Sequence, residues 1–220
     1  MGAAVCDDEA MHESTFILTA PDGTELGAYR WSGDADPVLI VQIAHGMGEH
    51  AGRYARLAEA LVEAGAVVYA HDHRGHGRTA GGPDHHGDLG PGGWPALVAD
   101  LGVVGDHARS EHPGLPLVVI GHSMGSFALQ RYLLDHHDRL DGAVLSGTSA
   151  VDVIAAGIDP TKEVDLSAFN APFEPARTEY DWLSRDPAEV DAYVADAASR
   201  PNPHAASAAS MIDGMDGVAD

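Results

Sequence analysis

A serine between two glycines is the residue of this chain with the clearest potential for chemistry. It lies in Gly121-His122-Ser123-Met124-Gly125, which fits the pattern G-x-S-x-G. A serine hydroxyl is a weak nucleophile until a base removes its proton, and a sharp strand-to-helix turn must expose it. Such a crowded turn needs glycine on either side. The pattern therefore predicts that Ser123 is a nucleophile, with both glycines and His122 supporting the turn.

Acyl transfer also needs hydrogen-bond donors for the negative charge that develops on the carbonyl oxygen. The segment HGMGEH, residues 45–50, directly follows an apolar run, which is where a serine hydrolase carries such donors. We predict that the backbone N–H groups of Met47 and Met124 form this oxyanion hole. His45 and Gly46 are expected to shape its loop. A preorganised donor of this kind lowers the barrier by about 3 kcal/mol.

Strands and helices alternate along the chain in an order that would carry both segments. Residues 14–31 predict an N-terminal hairpin that turns at Pro21-Asp22-Gly23. Continuous apolar runs predict buried strands at 37–45, 66–72, 115–123 and 141–150. Amphipathic stretches predict helices at 53–65, 94–112 and 123–137, and a later helix with Asp186 as its N-cap. Gly102 and Gly105 weaken the second of these helices. The alternation predicts an α/β protein with a doubly wound, mostly parallel sheet.

Four motifs in this order resemble the monoacylglycerol lipase and lysophospholipase group of serine hydrolases. They are IAHGMGEHAGRYARLAEALVEAG, VVYAHDHRGHGRT, VVIGHSMGS and WLSRDPAEVDAYVAD. The resemblance implies an α/β-hydrolase fold, hydrolysis of carboxylic esters and a lid that forms an apolar tunnel for an acyl chain. It also places Ser123 on the nucleophile position, and Met47 and Met124 on the oxyanion-hole positions. We therefore expect an α/β-hydrolase core at residues 11–150 and a lid segment with a tail at 151–220.

The catalytic acid and base are not identifiable by the same route. In this group the triad follows the chain order Ser, Asp, His, and the last two residues lie after later strands. Only 97 residues follow Ser123, and one strand and the lid account for them. We therefore expect the C-terminal part that carries the triad Asp and His to be missing.

The 14 histidines provide no evident replacement for the base. The resemblance gives His45 and His122 structural roles, shaping the oxyanion loop and packing under the turn, and gives the loop HDHRGHG at 71–77 a similar role. His204 could fold back over Ser123, although a general base must be held within hydrogen-bond reach. Adjacent histidine pairs have no carboxylate at a spacing typical of a metal site. We expect no metal and no cofactor.

Three interpretations of the function stay open. The first is a carboxylesterase of monoacylglycerol lipase type, with a base from an unrecognised histidine or a partner chain. The second is a catalytically impaired hydrolase remnant that keeps the fold and binds lipid-like ligands. The third is a related chemistry, acyl transfer or perhydrolysis. An oxyanion hole and binding alone leave roughly a thousandfold advantage over water, so slow reaction of activated esters is expected even without the base.

Charge excludes some partners. The chain has 34 acidic and 12 basic residues and a net charge of -22, so nucleic acid and anionic membranes would be repelled. The single cysteine, Cys6, excludes an internal disulfide.

No apolar run reaches the length of a membrane span, and the N-terminus does not resemble a signal peptide. These features favour a cytoplasmic protein. We expect its partner to be a small ester or lipid-like molecule.

The scattered acidic residues lead to a prediction about salt. A salt-adapted surface would repel itself at low ionic strength, and the screening length falls from about 10 Å at 0.1 M to about 3 Å at 1 M salt. We expect the urea midpoint of unfolding to rise over this range. A midpoint that does not respond to salt would favour the alternative, a genome rich in G and C that encodes Asp, Ala, Gly and Arg rather than Lys.

The last predicted strand, at 141–150, leads to a prediction about assembly. Without further strands it would form an exposed apolar edge, and such an edge favours pairing with another chain. We expect a dimer or larger oligomer that covers this edge or the lid. Light scattering at micromolar concentration measures the mass, and a monomer would contradict the prediction.

Overall fold

One mixed six-stranded sheet forms the centre of the molecule. A computed structural model describes residues 11–150, 166–199 and 204–214. The strands are β1 (His12–Thr19), β2 (Glu25–Ser32), β3 (Leu39–Ala44), β4 (Ala66–His71), β5 (Leu117–His122) and β6 (Gly142–Ser146). Their order in the sheet is β1-β2-β4-β3-β5-β6. The pairs β1–β2 and β2–β4 are antiparallel, whereas β4–β3, β3–β5 and β5–β6 are parallel. The predicted fold class is confirmed.

Helices connect the parallel strands and extend the described C-terminal part. They are α1 (Ala55–Glu63), α2 (Gly93–Glu111), α3 (Met124–His136), α4 (Pro187–Ala195) and α5 (Ala205–Gly214). Short 3-10 helices lie at Ala51–Tyr54, Pro83–His85, His137–Arg139, Leu166–Phe173 and Asp181–Leu183. Within the described ranges, the helices are too short or too polar to cross a bilayer.

The central strands β3 and β4 are buried on both faces, as continuous apolar sequences predict. On one face, Val41 and Ile43 of β3 pack in a cluster with Ala58 of α1. On the other face, Ile40 packs in a cluster with Val104 of α2 and further residues of α2 and α3. The alternation of side chains along β3 therefore places helices on both sides of the sheet, which is the doubly wound arrangement.

The hairpin turn forms where the sequence predicts it. Gly23 has φ +88°, a value that L side chains rarely adopt. The carboxylate of Asp22 accepts a hydrogen bond from the Thr24 amide at 3.0 Å. The same carboxylate accepts from the guanidinium of Arg74 at 2.6 Å. The turn is thus fastened to the loop that follows β4.

Arg74 joins three parts of the chain. It is 5% exposed and donates two hydrogen bonds, of 2.7 and 2.9 Å, to Asp100 of α2, which is 1% exposed. Burial raises the pKa of Asp100, and the guanidinium opposes that shift. The bonds of Arg74 to Asp22 and Asp100 hold the hairpin, the loop after β4 and α2 in one arrangement. Loss of Arg74 or Asp100 would leave a buried charge uncompensated.

The middle of α2 is continuous, in spite of its two glycines. A Cβ on Gly102 would lie 3.1 Å from the Tyr132 hydroxyl oxygen of α3. A Cβ on Gly105 would lie 3.2 Å from both Gln42 and Leu117 of the sheet. The glycines therefore allow close packing of α2 against α3 and the sheet, at the cost of about 1 kcal/mol each in helix propensity.

The C-terminal helices are attached to the sheet domain by polar contacts. Asp186 is the N-cap of α4, as predicted, and accepts a hydrogen bond from the Ala188 amide at 2.9 Å. Ser207 and Ser210 of α5 accept hydrogen bonds from the amides of Leu89 and Trp94.

Strand β6 forms one edge of the sheet. This edge is open among the described residues, because Val144 and Leu145 of β6 are 47% and 40% exposed. The oligomer stays a prediction.

Four buried histidines form a layer at the carboxyl ends of β3 and β4. The ring centroids of His45 and His73 are 4.2 Å apart, those of His71 and His73 are 4.8 Å apart, and His76 lies 5.3 Å from His45. Burial lowers the pKa of His71 and of His76 to about 4 and lowers the pKa of the other two well below the ordinary value. The layer is therefore neutral at pH 7.

The histidine layer predicts loss of stability in mild acid. Below pH 6.5 the unfolded chain binds protons that the folded layer does not bind until about pH 4, so the free energy of unfolding falls across this window. Each histidine contributes at most about 1.4 kcal/mol per pH unit. We expect His71→Leu to reduce the slope of the unfolding free energy against pH by the contribution of one histidine. Urea unfolding at several pH values measures this slope. Equal slopes in the parent and in His71→Leu would contradict the prediction.

Candidate active site

Ser123 lies at a sharp turn between β5 and α3. Its φ is +50° and its ψ is -118°. Within the described ranges, it is the one residue other than glycine that has a positive φ. Its carbonyl oxygen accepts hydrogen bonds from the amides of Ser126 and Phe127, at 2.8 and 3.2 Å. Its own amide donates to the Ser146 carbonyl of β6 at 2.8 Å. These bonds hold a backbone conformation that costs on the order of 1–3 kcal/mol.

The two glycines of the motif lie in close contact with backbone atoms. A Cβ on Gly121 would lie 2.6 Å from the Gly125 carbonyl oxygen. A Cβ on Gly125 would overlap the carbonyl oxygen of Ala44, at the end of β3. Since real Cβ atoms do not approach backbone this closely, both positions require glycine. The first turn of α3 can then lie directly against the end of β3.

This close approach brings the loop after β3 to the serine. A Cβ on Gly46 would lie 3.2 Å from the Cβ of Ser123 and 2.9 Å from a carboxylate oxygen of Glu49. The Glu49 carboxylate accepts hydrogen bonds from the Gly46 amide at 2.6 Å and from the Tyr54 hydroxyl at 2.7 Å. Residues 45–50 therefore form a folded loop beside Ser123, which we call the oxyanion loop after its predicted role.

The two amides predicted for the oxyanion hole belong to this arrangement. Met47 lies in the oxyanion loop, and Met124 is the first residue of α3, directly after Ser123. Within the described ranges, neither N–H has an intramolecular acceptor. The amide of Met124 also lies at a helix N-terminus, where the helix dipole favours negative charge. Both amides are thus suited to stabilise an oxyanion, and this role stays a prediction.

His45 supports the loop from below. The His73 amide donates to Nε2 of His45 at 2.9 Å, so the proton of this ring lies on Nδ1, from which it donates to the Gly46 carbonyl at 2.7 Å. In return the His73 ring bonds the His45 carbonyl at 3.1 Å. The role of His45 in shaping the loop stays a prediction, which these hydrogen bonds support. A neutral ring is required, because Nε2 must accept a hydrogen bond.

Asp72, directly after β4, is a supporting residue that sequence reasoning missed. Its carboxylate accepts hydrogen bonds from the amides of Ala51 and Arg78, both at 2.8 Å. Burial raises the pKa of Asp72, and these two bonds oppose that shift. Asp72 thus fixes the end of the oxyanion loop to the loop after β4. The only sequence signal was its position within HDHRGHG.

Neither His122 nor His204 is hydrogen-bonded to the Ser123 hydroxyl. His122 is half-buried, and its ring bonds the Ser146 hydroxyl at 3.2 Å, beside Gly147 and Gly46. Its packing role under the turn stays a prediction. His204 is exposed, and its amide donates to the Gly87 carbonyl at 2.9 Å. Within the described ranges, no histidine ring is hydrogen-bonded to the Ser123 hydroxyl, so no base is assigned.

Helix α4 lies on the oxyanion loop. The buried hydroxyl of Tyr193 donates to the Gly48 carbonyl at 2.8 Å, and the Arg53 guanidinium lies 4.8 Å from the Tyr193 ring centroid. The helix therefore covers one side of the candidate site. The first 15 residues of the predicted lid, 151–165, lie outside the described residues, so the acyl tunnel stays a prediction.

Comparison with known proteins agrees with this geometry. Residues 35–220 match the Hydrolase_4 family, described as serine aminopeptidase, S33. The chain is 39% identical over 173 residues to a monoacylglycerol lipase of Mycolicibacterium smegmatis, a match that covers 76% of this chain and 58% of that protein. It is 30% identical over 192 residues to the monoglyceride lipase of Homo sapiens, covering 81% of this chain and 58% of that protein. The chain thus spans less than two thirds of the length of these relatives.

Solved structures show the same architecture. A thermostable carboxyl esterase from Bacillus coagulans, solved in complex with glycerol, has a TM-score of 0.79 and 30% identity, and the match covers 94% of this chain and 73% of that chain. A lipase in an open form has a TM-score of 0.75 and 26% identity, over 95% of this chain and 74% of that chain. The match of the family model to most of the chain, together with this fold, shows that the chain belongs to the Hydrolase_4 (S33) family of α/β-hydrolases.

Proposed function

We propose that this chain is a serine hydrolase of carboxylic esters, with Ser123 as nucleophile and monoacylglycerol-like or short-chain esters as substrates. The observation that carries the proposal is the strained turn of Ser123, with the oxyanion loop packed against its Cβ. The names of the relatives support the substrate class, since they include a monoacylglycerol lipase and a monoglyceride lipase. The residues after 150 are proposed to form a lid over the site.

The proposed reaction has two steps. The Ser123 oxygen attacks the ester carbonyl carbon while a base takes the hydroxyl proton, and the carbonyl oxygen becomes an oxyanion that accepts from the amides of Met47 and Met124. The C–O bond to the alcohol then breaks, the alcohol leaves with a proton, and an acyl-serine remains. Water attacks this acyl group in the same way, releases the fatty acid and restores the serine. The base is the one participant that the described residues do not supply.

A second candidate function follows from that observation. Because no histidine ring bonds the Ser123 hydroxyl among the described residues, the chain also fits a catalytically impaired hydrolase that binds lipid-like ligands without turnover. Both candidates contain the same oxyanion loop. They differ in whether Ser123 becomes acylated.

Covalent labelling distinguishes the two. We expect a fluorophosphonate to add one adduct to the parent chain, read by intact-protein mass, and none to Ser123→Ala. Hydrolysis of p-nitrophenyl butyrate should fall at least about a thousandfold in the same variant, since loss of a catalytic serine is among the largest single effects on kcat. Ser110→Ala, which changes an exposed serine of α2, is the matched control and should behave like the parent.

A folded parent chain that takes no label and does not hydrolyse the ester would overturn the esterase proposal and leave the binding function. Circular dichroism establishes folding in each protein. Binding of a fluorescent fatty acid to the unlabelled parent would then support the second candidate directly.

A further inference from the structure

The contact between α4 and the oxyanion loop contains a second polar bond, besides that of Tyr193. His50, the last residue of the loop, bonds Asp196 at 2.8 Å between Nε2 and Oδ2. Asp196 is the C-cap of α4, and the side chains are 18% and 28% exposed. The two residues are 146 positions apart in the sequence, so the bond joins the loop to a distant segment.

Asp196 is itself held in place. Its Oδ1 accepts from the Ala198 amide at 2.9 Å, and its Oδ2 also accepts from the Ser199 hydroxyl at 2.7 Å. These bonds lower the pKa of Asp196, against the effect of burial. The carboxylate therefore presents a fixed acceptor to the ring of His50, which must carry its proton on Nε2.

His50 is also restricted on its other side. A Cβ on Gly52 would lie 3.1 Å from Nδ1 of the His50 ring, so the ring lies directly over this glycine. The next residue, Ala51, is bonded to Asp72 through its amide. The C-terminal end of the oxyanion loop is thus placed between the sheet domain and α4.

Tyr193 and Asp196 lie three residues apart on α4, which puts them on the same face of the helix. One bonds Gly48 and the other bonds His50, so both bonds act on the loop segment directly after Met47. A displacement of a few tenths of an ångström there moves the Met47 amide relative to Ser123. Small misplacements of catalytic groups reduce rates strongly.

We propose that His50 and Asp196 are positioning residues for the oxyanion hole, and that docking of α4 through this pair orders the loop that carries Met47. This inference rests on the proposed function of Ser123 and concerns how the same site is held in place. It predicts a coupling between the C-terminal segment and the transition state. It does not require either residue to contact substrate.

Kinetics of Asp196→Ala test the proposal. We expect kcat for p-nitrophenyl butyrate to fall about tenfold with KM nearly unchanged, because a donor to the oxyanion acts mainly in the transition state. Asp196→Asn keeps an acceptor for the ring and should retain activity within about twofold of the parent. His50→Ala should lose as much as Asp196→Ala, and the double variant should lose no more than either.

The matched control is Arg56→Ala. Arg56 of α1 pairs with Glu189 of α4 at 2.7 Å, so it joins the same helix to the sheet domain without touching the oxyanion loop. This variant should keep the parent kcat. An equal loss in Arg56→Ala, or a failure of Asp196→Asn to restore kcat, would show a general attachment of the helix and overturn the proposal.

Hydrogen exchange provides a readout that does not depend on turnover. In Asp196→Ala the amides of residues 46–50 should exchange about tenfold faster than in the parent and in Arg56→Ala, because the loop loses one of its bonds to α4. A parent without labelling or turnover would contradict the proposed function only, and the exchange rates would still decide on the ordering of the loop. Unchanged exchange in Asp196→Ala would overturn the inference.

Discussion

The backbone of Ser123 imposes the constraint on which the rest of the site depends. A φ of +50° on a residue with a side chain is unfavourable. The amides of Ser126 and Phe127, which donate to the Ser123 carbonyl, and the Ser146 carbonyl, which accepts from the Ser123 amide, maintain it. The turn is possible only if α3 starts directly at the end of β3, where Gly125 lies against the Ala44 carbonyl. That contact also sets the distance between the serine and the oxyanion loop. Gly46 and Ser123, which are far apart in the sequence, thus lie side by side.

Buried side chains add hydrogen bonds to the backbone of the loops around this turn. The carboxylate of Asp72 bonds two loop amides, and His45 bonds an amide and a carbonyl. Arg74 and Asp100 hold the loop after β4 to α2. Buried polar groups of this kind are expensive unless they are paired, so they stabilise one geometry and disfavour others. His45 fits this role because a neutral imidazole offers both a donor and an acceptor.

Much of the fold could be predicted from the sequence because its signals are local. The hairpin turn at Gly23, the N-cap at Asp186 and the apolar runs of the strands each depend on a few neighbouring residues, and the structure confirms them. The glycines of α2 were harder to interpret. Their effect on helix propensity is a local property, whereas the close packing that explains them involves α3 and the sheet.

The site was predictable only in part, because some of its contacts join residues that are distant in the sequence. Ser123 and its glycines form a motif within five residues, and HGMGEH follows a strand directly. The contacts of Glu49 with Tyr54, and above all of Tyr193 with Gly48, have no such pattern, since the second joins residues 145 positions apart. His122 lies in the motif itself, yet its orientation depends on where β6 ends, beside Ser146 and Gly147.

The proposed ester hydrolysis has two requirements, and the described residues bear on one of them. The proposed stabilisation of the oxyanion depends on β3, β5, α3 and the oxyanion loop, and all of these lie within the described residues. Removal of the serine proton depends on a histidine held at the hydroxyl, and no described contact provides it. The two requirements are physically separable, because an oxyanion hole is a backbone arrangement that the sheet fixes, whereas a base is one side chain on one loop. The strain at Ser123 therefore persists whether or not the base is in place, and the geometry proposed to stabilise the transition state is set by the fold before any substrate binds.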